Sequence, residues 1–394
     1  MAKAKAVVGQ SGGPTSVINS SLVGVVEAAR GSSRIGRVYG MRYGIEGFME
    51  ELLVDLSARS AGFLRGLKRT PSSALGSSRH KTREEDLPRI LEILKKNDIR
   101  YFFLIGGNDT MDTIHRVEAY CRRQGYELTG VGIPKTVDND LFGTDHSPGF
   151  PSAARCNVLN VLQAGLLARD MQRVDKFVIY QSVGRDAGWL AASAALAKRR
   201  EADAPHLIYL PERPFDRERF LADVEECLRR YGWASIVCGE GLKQADGTLV
   251  SASQVRDKFG NVEFGAMGGA SAALSLHGLL KDRLGLRGEF QITESLIMCA
   301  MDRAVELDLR EAYGCGREAV RLAEAGRSGV MVALERRPGE AYRARYATAA
   351  LEEVAAKSKP MPAEYISPEG NFVTEAFLSY IRPLVGPIPE YTSL

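Results

Sequence analysis

Two carboxylates that follow a lysine and a threonine form the most reactive pattern in this sequence. The stretch "KTVDND" contains Lys135, Thr136, Asp138 and Asp140. In an extended loop, side chains two residues apart point the same way, so one carboxylate could act as a general base while the other anchors a metal ion. The alternative is a solvated turn, because Asp and Asn are common in turns. The adjacent lysine and threonine, and the apolar run before them, favour the chemical interpretation.

Two glycine turns also follow apolar runs and precede helical patterns. "GQSGGPTS" contains Gly12 and Gly13, and "GGNDT" runs from Gly106 to Thr110. Backbone N–H groups at such a turn and at the helix that follows it bind phosphate well. A lone Gly-Gly pair is more often a tight turn than a phosphate site. Three polar turns at successive strand ends favour one shared site, because strand ends of a parallel sheet converge on one crevice.

The alternation of short apolar runs with helical patterns predicts an α/β fold. Runs such as "IRYFFLIGG" are apolar on both faces, as strands of a buried parallel sheet are. Two series of strands and helices, divided near Gly149, predict two Rossmann-like lobes. Each is expected to be a mostly parallel sheet with helices on both faces, and the active site is expected in a cleft between the lobes.

The composition excludes several classes of protein. The chain has 394 residues, of which 45% are hydrophobic and 26% charged, and its net charge is +3. So small a charge gives no indication of nucleic-acid binding. No run approaches the roughly 20 apolar residues of a membrane span, and the six cysteines show no C-x-x-C pair. We therefore expect a cytoplasmic protein with neither a nucleic-acid nor a membrane partner.

The motifs, taken together, resemble the phosphofructokinase family, and in particular its pyrophosphate-dependent branch. The resemblance rests on "GGNDT" with "GIPKTVDNDL", and further segments match in the family's order: "SGGPTSVIN", "TPSSALGSSR", "VGRDAGWLAA", "HLIYLPE" and "DLREAYGCGREAV". It implies a donor lobe of residues 1–149, completed by part of 303–350. It also implies an acceptor lobe of residues 150–302, completed by the C-terminal segment to residue 394. Mg²⁺ as cofactor and a homodimer or homotetramer are implied as well.

The resemblance also implies the phosphate donor. ATP-using members carry glycine at the positions of Asp109 and Lys135, which leaves room for the nucleotide. A carboxylate at Asp109 would repel the α-phosphate, whereas the Lys135 ammonium can meet the phosphates of inorganic pyrophosphate. Asp109 is expected to help hold Mg²⁺, with a weaker role for Asn108, where members often have Asp. The other implied donor-binding residues are Gly12, Gly13, Arg79, Gly107 and Thr110.

Roles at the acceptor follow from the same resemblance. Asp138 is expected to take the proton of the acceptor hydroxyl, Thr136 to contact the transferred phosphoryl group, and Asp140 to hold the acceptor or orient the loop. Three second-lobe residues match acceptor-binding positions: Gly184, Arg185 and Glu240. Lys176 matches a cation that reaches a neighbouring subunit's site in the family; the alternative is a surface lysine at a strand end.

One departure from the family pattern concerns the acceptor's phosphate. The family's "G-Y-x-Q-R", whose arginine grips a sugar 6-phosphate, aligns with "ESLIMCAMD", so that Met298 replaces the arginine. Methionine offers none of the charge-assisted hydrogen bonds of arginine. Either the ungapped alignment slips here, or Arg287 or Arg303 compensates, or the acceptor is a neutral sugar or polyol.

Four functions are therefore compared. The leading prediction is Mg²⁺-dependent phosphoryl transfer from pyrophosphate to a sugar phosphate, with fructose 6-phosphate as the family's usual acceptor. The first alternative changes the acceptor to an unphosphorylated sugar or polyol, and the second is a catalytically silent ligand-binding homologue. A nicotinamide dehydrogenase is set aside, because "GQSGGPTS" lacks the G-x-G-x-x-G spacing.

Overall fold

Strands and helices alternate along the chain, whose structure is a computed structural model describing residues 3–251, 271–339 and 341–392. The strands are β1 (Ala4–Gln10), β2 (Ile35–Met41), β3 (Leu53–Asp55), β4 (Ile99–Gly106), β5 (Thr129–Pro134), β6 (Phe177–Ser182), β7 (Leu207–Tyr209), β8 (Ala234–Gly239), β9 (Gly288–Ile292), β10 (Val330–Arg336) and β11 (Ala344–Ala350).

Most of the α-helices follow a strand. They are α1 (Ile18–Arg30), α2 (Gly44–Met49), α3 (Ala61–Lys68), α4 (Leu87–Lys96), α5 (Asn108–Arg123), α6 (Phe150–Asp170), α7 (Trp189–Ser193), α8 (Arg217–Tyr231), α9 (Ala272–Leu284), α10 (Glu306–Glu324), α11 (Leu351–Ala356) and α12 (Glu375–Val385). Short 3-10 helices are formed by Glu84–Asp86, Ala194–Ala197, Glu294–Cys299, Met301–Arg303 and Ala363–Tyr365. In the described part of the chain, no helix has the length and hydrophobicity that a membrane span requires.

The chain divides into two compact units. Unit 1 comprises Met1–Ser152 and Met298–Lys359, and unit 2 comprises Ala153–Ile297 and Pro360–Leu394. The predicted lobes ended at residues 149 and 302, so the units differ from them at the edges. In particular, Met298 belongs to unit 1, although it was assigned to the acceptor lobe.

Unit 1 is built on a sheet whose described strands have the order β11-β10-β5-β4-β1-β2-β3. The central strands are parallel, and β3 and β11 are antiparallel edges. Successive side chains of a strand point to opposite faces. Phe103 of β4 accordingly packs in the same cluster as Leu22 of α1 and Ala319 of α10, whereas Phe102 packs with Ile114 of α5. Helices therefore cover both faces.

Unit 2 is built on a smaller parallel sheet, with the described strands in the order β7-β8-β6-β9. Ile179 of β6 packs with Phe220 of α8 and Leu276 of α9. The neighbouring Val178 packs on the opposite face with Ala168 of α6. The prediction of two mostly parallel sheets, each with helices on both faces, is confirmed. The antiparallel edges β3 and β11 were not predicted.

Candidate active site

The glycine turn after β1 meets the lysine that follows β5. Gly12 has φ +74°, a left-handed conformation that favours glycine. Lys135 is only 4% exposed, and its Nζ donates a hydrogen bond of 2.7 Å to the carbonyl oxygen of Gly13. A Cβ atom on Gly12 would lie 3.2 Å from that Nζ. Two motifs more than a hundred residues apart in sequence thus form one cationic turn.

The electrostatics of Lys135 are those of an ammonium group surrounded by protein. Burial lowers its pKa to about 8, and the carboxylates of Asp138 and Asp140 oppose that change. Burial raises the pKa of Asp140, while hydrogen bonding to Thr136 and the charges of Lys359 and Lys135 act in the opposite direction. A cation and two carboxylates therefore influence one another in this part of unit 1.

The loop that carries the carboxylates turns sharply at its centre. The expectation of an extended loop is wrong at Asn139, which has φ +57°. Before this turn, the Asp138 N–H donates to Thr136 Oγ1 at 3.1 Å. Asn139 is fully buried, and its Oδ1 accepts from the Ser147 N–H at 3.1 Å. Asn139, which is left-handed and hydrogen-bonded to Ser147, therefore separates the two carboxylates. The loop does not have the extended conformation in which side chains two residues apart point the same way.

The "GGNDT" turn opens helix α5, which begins at Asn108 with Gly107 as its N-cap. The helix therefore begins within the motif itself. Thr110 packs against the turn so closely that a Cβ on Gly106 would lie 2.1 Å from its Oγ1. A Cβ on Gly107 would lie 3.9 Å from the Lys135 carbonyl oxygen. The second glycine turn therefore lies beside Lys135.

Asp109 extends away from the protein in the first turn of α5. Its side chain is 74% exposed, and its carboxylate lies 3.6 Å from the Nζ of Lys81. Lys81 belongs to none of the motifs recognised in the sequence. Arg79 is also exposed, and it follows Ser78, whose carbonyl accepts the Gly12 N–H at 3.2 Å. The Gly12 amide is therefore already paired within the protein.

Met298 lies beside the same glycine turn. A Cβ on Gly13 would be 3.6 Å from the Met298 sulfur, and the Met298 carbonyl accepts a hydrogen bond of 3.4 Å from Ser16 Oγ. Its thioether thus adds an apolar surface to a turn that is otherwise polar. The acceptor role assigned to Met298 stays a prediction.

In unit 2, Gly184 and Glu240 form a second polar group. The Gly184 N–H donates to Glu240 Oε1 at 3.2 Å, and Gly184 has φ +122°. Burial raises the pKa of Glu240; the Arg185 charge lowers it, and the Glu294 carboxylate raises it further. Glu294 is itself left-handed, with φ +43°, at the position where the family pattern has glycine.

Lys176 immediately precedes β6, and its ammonium group is bonded within the same chain. Its Nζ donates to the Gln172 carbonyl oxygen at 2.8 Å. Of the two arginines named as substitutes for the missing one, Arg287 pairs with Asp175 at 2.9 Å. Arg303 lies 3.7 Å from the Asp302 carboxylate. Both guanidinium groups already face carboxylates.

Comparison with known proteins decides the family. The sequence pattern of the family described as Phosphofructokinase matches residues 5–280. The chain belongs to the phosphofructokinase family. A pyrophosphate–fructose 6-phosphate 1-phosphotransferase of Methylococcus capsulatus is 39% identical, over 100% of this chain and 96% of that protein. One of Halomonas elongata is 39% identical, over 98% and 92%.

Solved structures agree with this family assignment. A crystal structure of a pyrophosphate-dependent phosphofructokinase from Marinobacter aquaeolei is 36% identical and covers 99% of this chain and 94% of that chain, with a TM-score of 0.87. The resemblance read from the motifs is confirmed at the level of the family and its pyrophosphate-dependent relatives.

The family resemblance implies Mg²⁺, and the start of α5 contains an oxygen atom of the kind that a divalent cation binds. Asn108 donates through Nδ2 to Asp140 Oδ2 at 3.3 Å, while its Oδ1 is buried and accepts no hydrogen bond from the described residues. An unpartnered oxygen on a residue that also contacts the Asp140 carboxylate suits a hard cation. The described residues contain no group of three or more His, Cys, Asp or Glu able to hold a metal ion. Mg²⁺ commonly relies on one or two protein oxygens together with substrate phosphates.

Proposed function

We propose that this phosphofructokinase-family protein transfers a phosphoryl group from inorganic pyrophosphate to a hydroxyl of a sugar phosphate. The observation that carries the proposal is the Lys135 ammonium, which is bonded to Gly13 O and influenced by Asp138 and Asp140. Relatives that match over nearly the whole chain are named for this donor and for fructose 6-phosphate. We assign donor binding to unit 1 and take fructose 6-phosphate as the leading acceptor.

In this mechanism the protein positions groups and stabilises charge. The acceptor oxygen attacks the transferred phosphorus, Asp138 takes the hydroxyl proton, and the bond to the second phosphate breaks. Lys135 and Arg79 hold the negative charge of the donor and of the departing phosphate. The Gly13 N–H is the amide of the turn that we assign to phosphate, because the Gly12 N–H is already bonded to Ser78. Asn108 and Asp109 would hold Mg²⁺, which neutralises phosphate charge when bound.

We assign the remaining roles on the same basis. Thr136 contacts the transferred phosphoryl group, Asp140 orients the loop, and Gly184, Arg185 and Glu240 of unit 2 bind the acceptor. Lys176 serves a neighbouring subunit in a homodimer or homotetramer. The six cysteines are all free thiols, which is typical of the reducing cytoplasm to which we assign the protein.

The test of this function is a comparison of donors. We expect turnover of fructose 6-phosphate with Mg²⁺ and pyrophosphate and little or none with ATP, because Asp109 and Lys135 replace the glycines of ATP-using members. Fructose 1,6-bisphosphate formation would be measured with each donor, and phosphate release without acceptor would serve as the control. Equal activity with the two donors would contradict the pyrophosphate assignment.

A second candidate is transfer to a neutral sugar or polyol, and Met298 is the observation that favours it. The arginine of the family pattern is absent, and Arg287 and Arg303 both face carboxylates. Each of these two described arginines therefore has a carboxylate that competes with a 6-phosphate for its charge.

We expect Met298→Arg to separate the two acceptors. If Met298 faces the acceptor, arginine supplies a charge-assisted contact of about 1.5–3 kcal/mol, so the KM for fructose 6-phosphate should fall by about 10–100-fold. A neutral acceptor should be used less well, because the new charge is unpaired. Michaelis constants would be measured for both acceptors.

The matched control is Leu296→Arg. Leu296 lies on the same 3-10 helix and is 79% exposed, so the same charge enters solvent there and should change neither constant. Efficient use of fructose 6-phosphate by the wild type, with no gain in Met298→Arg, would rule out the neutral-acceptor candidate.

A further inference from the structure

The loop that carries Asp138 and Asp140 is held by a segment more than two hundred residues later in the chain. Leu141 and Ser358 form an antiparallel bridge. The Lys359 N–H donates to the carbonyl oxygen of Asp140 at 2.8 Å. The segment after α11 therefore pairs with the backbone of the loop beside a carboxylate of the candidate active site.

The side chain of Lys359 reaches further into that loop. Its Nζ donates to the carbonyl oxygens of Asp145 at 2.8 Å and Thr144 at 3.1 Å, and to Asn139 Oδ1 at 3.3 Å. An ammonium group has three N–H donors, so all three find acceptors in one loop. Burial lowers the pKa of Lys359 to about 8, opposed by the carboxylates of Asp145 and Asp140.

Asn139, which lies between Asp138 and Asp140 in the sequence, accepts one of the hydrogen bonds of the Lys359 ammonium group. It is fully buried and left-handed, with φ +57°. Non-glycine residues adopt this conformation uncommonly, although Asn does so more readily than most. The hydrogen bonds from Lys359 and Ser147 to Asn139 Oδ1 therefore stabilise a turn that fixes the directions of Asp138 and Asp140.

We propose that Lys359 is a positioning residue for phosphoryl transfer, which holds the left-handed turn at Asn139 so that Asp138 meets the acceptor hydroxyl. This role rests on the proposed function of Asp138 as the base. The hydrogen bonds of the Lys359 ammonium go to Asn139, Thr144 and Asp145 of the loop, and we assign Lys359 to no substrate. Its loss should therefore change the rate of the chemical step more than the binding of pyrophosphate.

The test is Lys359→Met, which keeps the length of the side chain and removes the ammonium group. We expect kcat to fall by about 10–100-fold, because a misplacement of about 1 Å can cost 10²-fold in rate. The KM for pyrophosphate should change less than about threefold. The control is Lys95→Met, because Lys95 is exposed in the last turn of α4, and kcat should be unchanged there.

A second variant, Asn139→Gly, removes the acceptor of the Lys359 contact while glycine still permits a positive φ. It should lower kcat with little change in KM, and it tests the role even if Lys359→Met does not fold. In the double variant the two losses of kcat should be less than multiplicative, because the hydrogen bond between Lys359 Nζ and Asn139 Oδ1 is lost in each single variant. Thermal unfolding of each variant would show how much folded enzyme is assayed.

The outcomes are distinguishable. Full kcat in Lys359→Met or in Asn139→Gly, or losses that multiply independently, would overturn the positioning role while wild-type activity leaves the proposed function intact. A wild type that is inactive with pyrophosphate would overturn the proposed function, and this role with it.

Discussion

Asp138→Asn is expected to lower kcat by roughly 10²–10⁴-fold, the usual contribution of a positioned general base. Asparagine preserves the size of the side chain and most of its hydrogen bonding, but it cannot accept the hydroxyl proton. The Asp138 N–H bond to Thr136 Oγ1 belongs to the backbone, so the loop should keep its conformation. Michaelis constants for pyrophosphate and for the acceptor should change far less than kcat.

Steady-state kinetics of the purified variant would check this expectation, with Asp112→Asn as the control. Asp112 is a half-exposed carboxylate of α5 that pairs with Arg116 at 2.7 Å, so its replacement makes the same chemical change outside the candidate site. If Asp138→Asn kept nearly the full kcat, another group would have to be the base.

The parts of the site that follow a strand could be predicted from sequence, because parallel strands deliver their loops to one edge of the sheet. Gly12, Gly13 and Lys135 are an example: they follow β1 and β5, and the Lys135 Nζ bonds to the Gly13 carbonyl. The sheets themselves could be predicted for a similar reason. Buried strands such as β4 are apolar on both faces, so each is recognisable in the sequence as a short run of mostly apolar residues.

The conformation of the carboxylate loop could not be predicted from its own residues. The spacing of Asp138 and Asp140 suggested an extended loop. Asn139 is instead left-handed, because contacts from distant residues stabilise that turn. Lys359 supplies one of them, and nothing in "KSKP" indicates a partner so far away in sequence. Tertiary contacts of this kind override local preference, so sequence patterns alone did not reveal Lys359.

The exposed contacts of the proposed donor site could not be predicted from the sequence either. The family resemblance implies that Asp109 excludes a nucleotide, but it gave no indication of the ion pair between Asp109 and Lys81 at 3.6 Å. Both side chains are more than half exposed, so the pair is screened by solvent and weak. Short motifs indicate which residues follow a strand. They do not indicate the partner of an exposed charged side chain, because that partner depends on the surrounding surface.

Lys135→Met is expected to lower kcat/KM for pyrophosphate by about 10²–10³-fold, comparable to the loss of a preorganised group that stabilises charge in the transition state. The variant keeps the length and packing of the side chain, so the fold should persist. Lys95→Met is the control, because Lys95 is exposed in the last turn of α4. A variant that retained full kcat/KM would remove Lys135 from the donor site.

The same residue gives a pH dependence with a defined sign. Burial lowers the pKa of Lys135 to about 8, so its charge is present below that pH and is lost above it. We therefore expect kcat/KM for pyrophosphate to fall on the alkaline side with a midpoint near 8. Lys135→Arg should shift the fall to higher pH, because arginine stays protonated. The pKa of Lys359 is also about 8, so an alkaline fall that disappeared in Lys359→Met but persisted in Lys135→Arg would assign the titration to Lys359 instead.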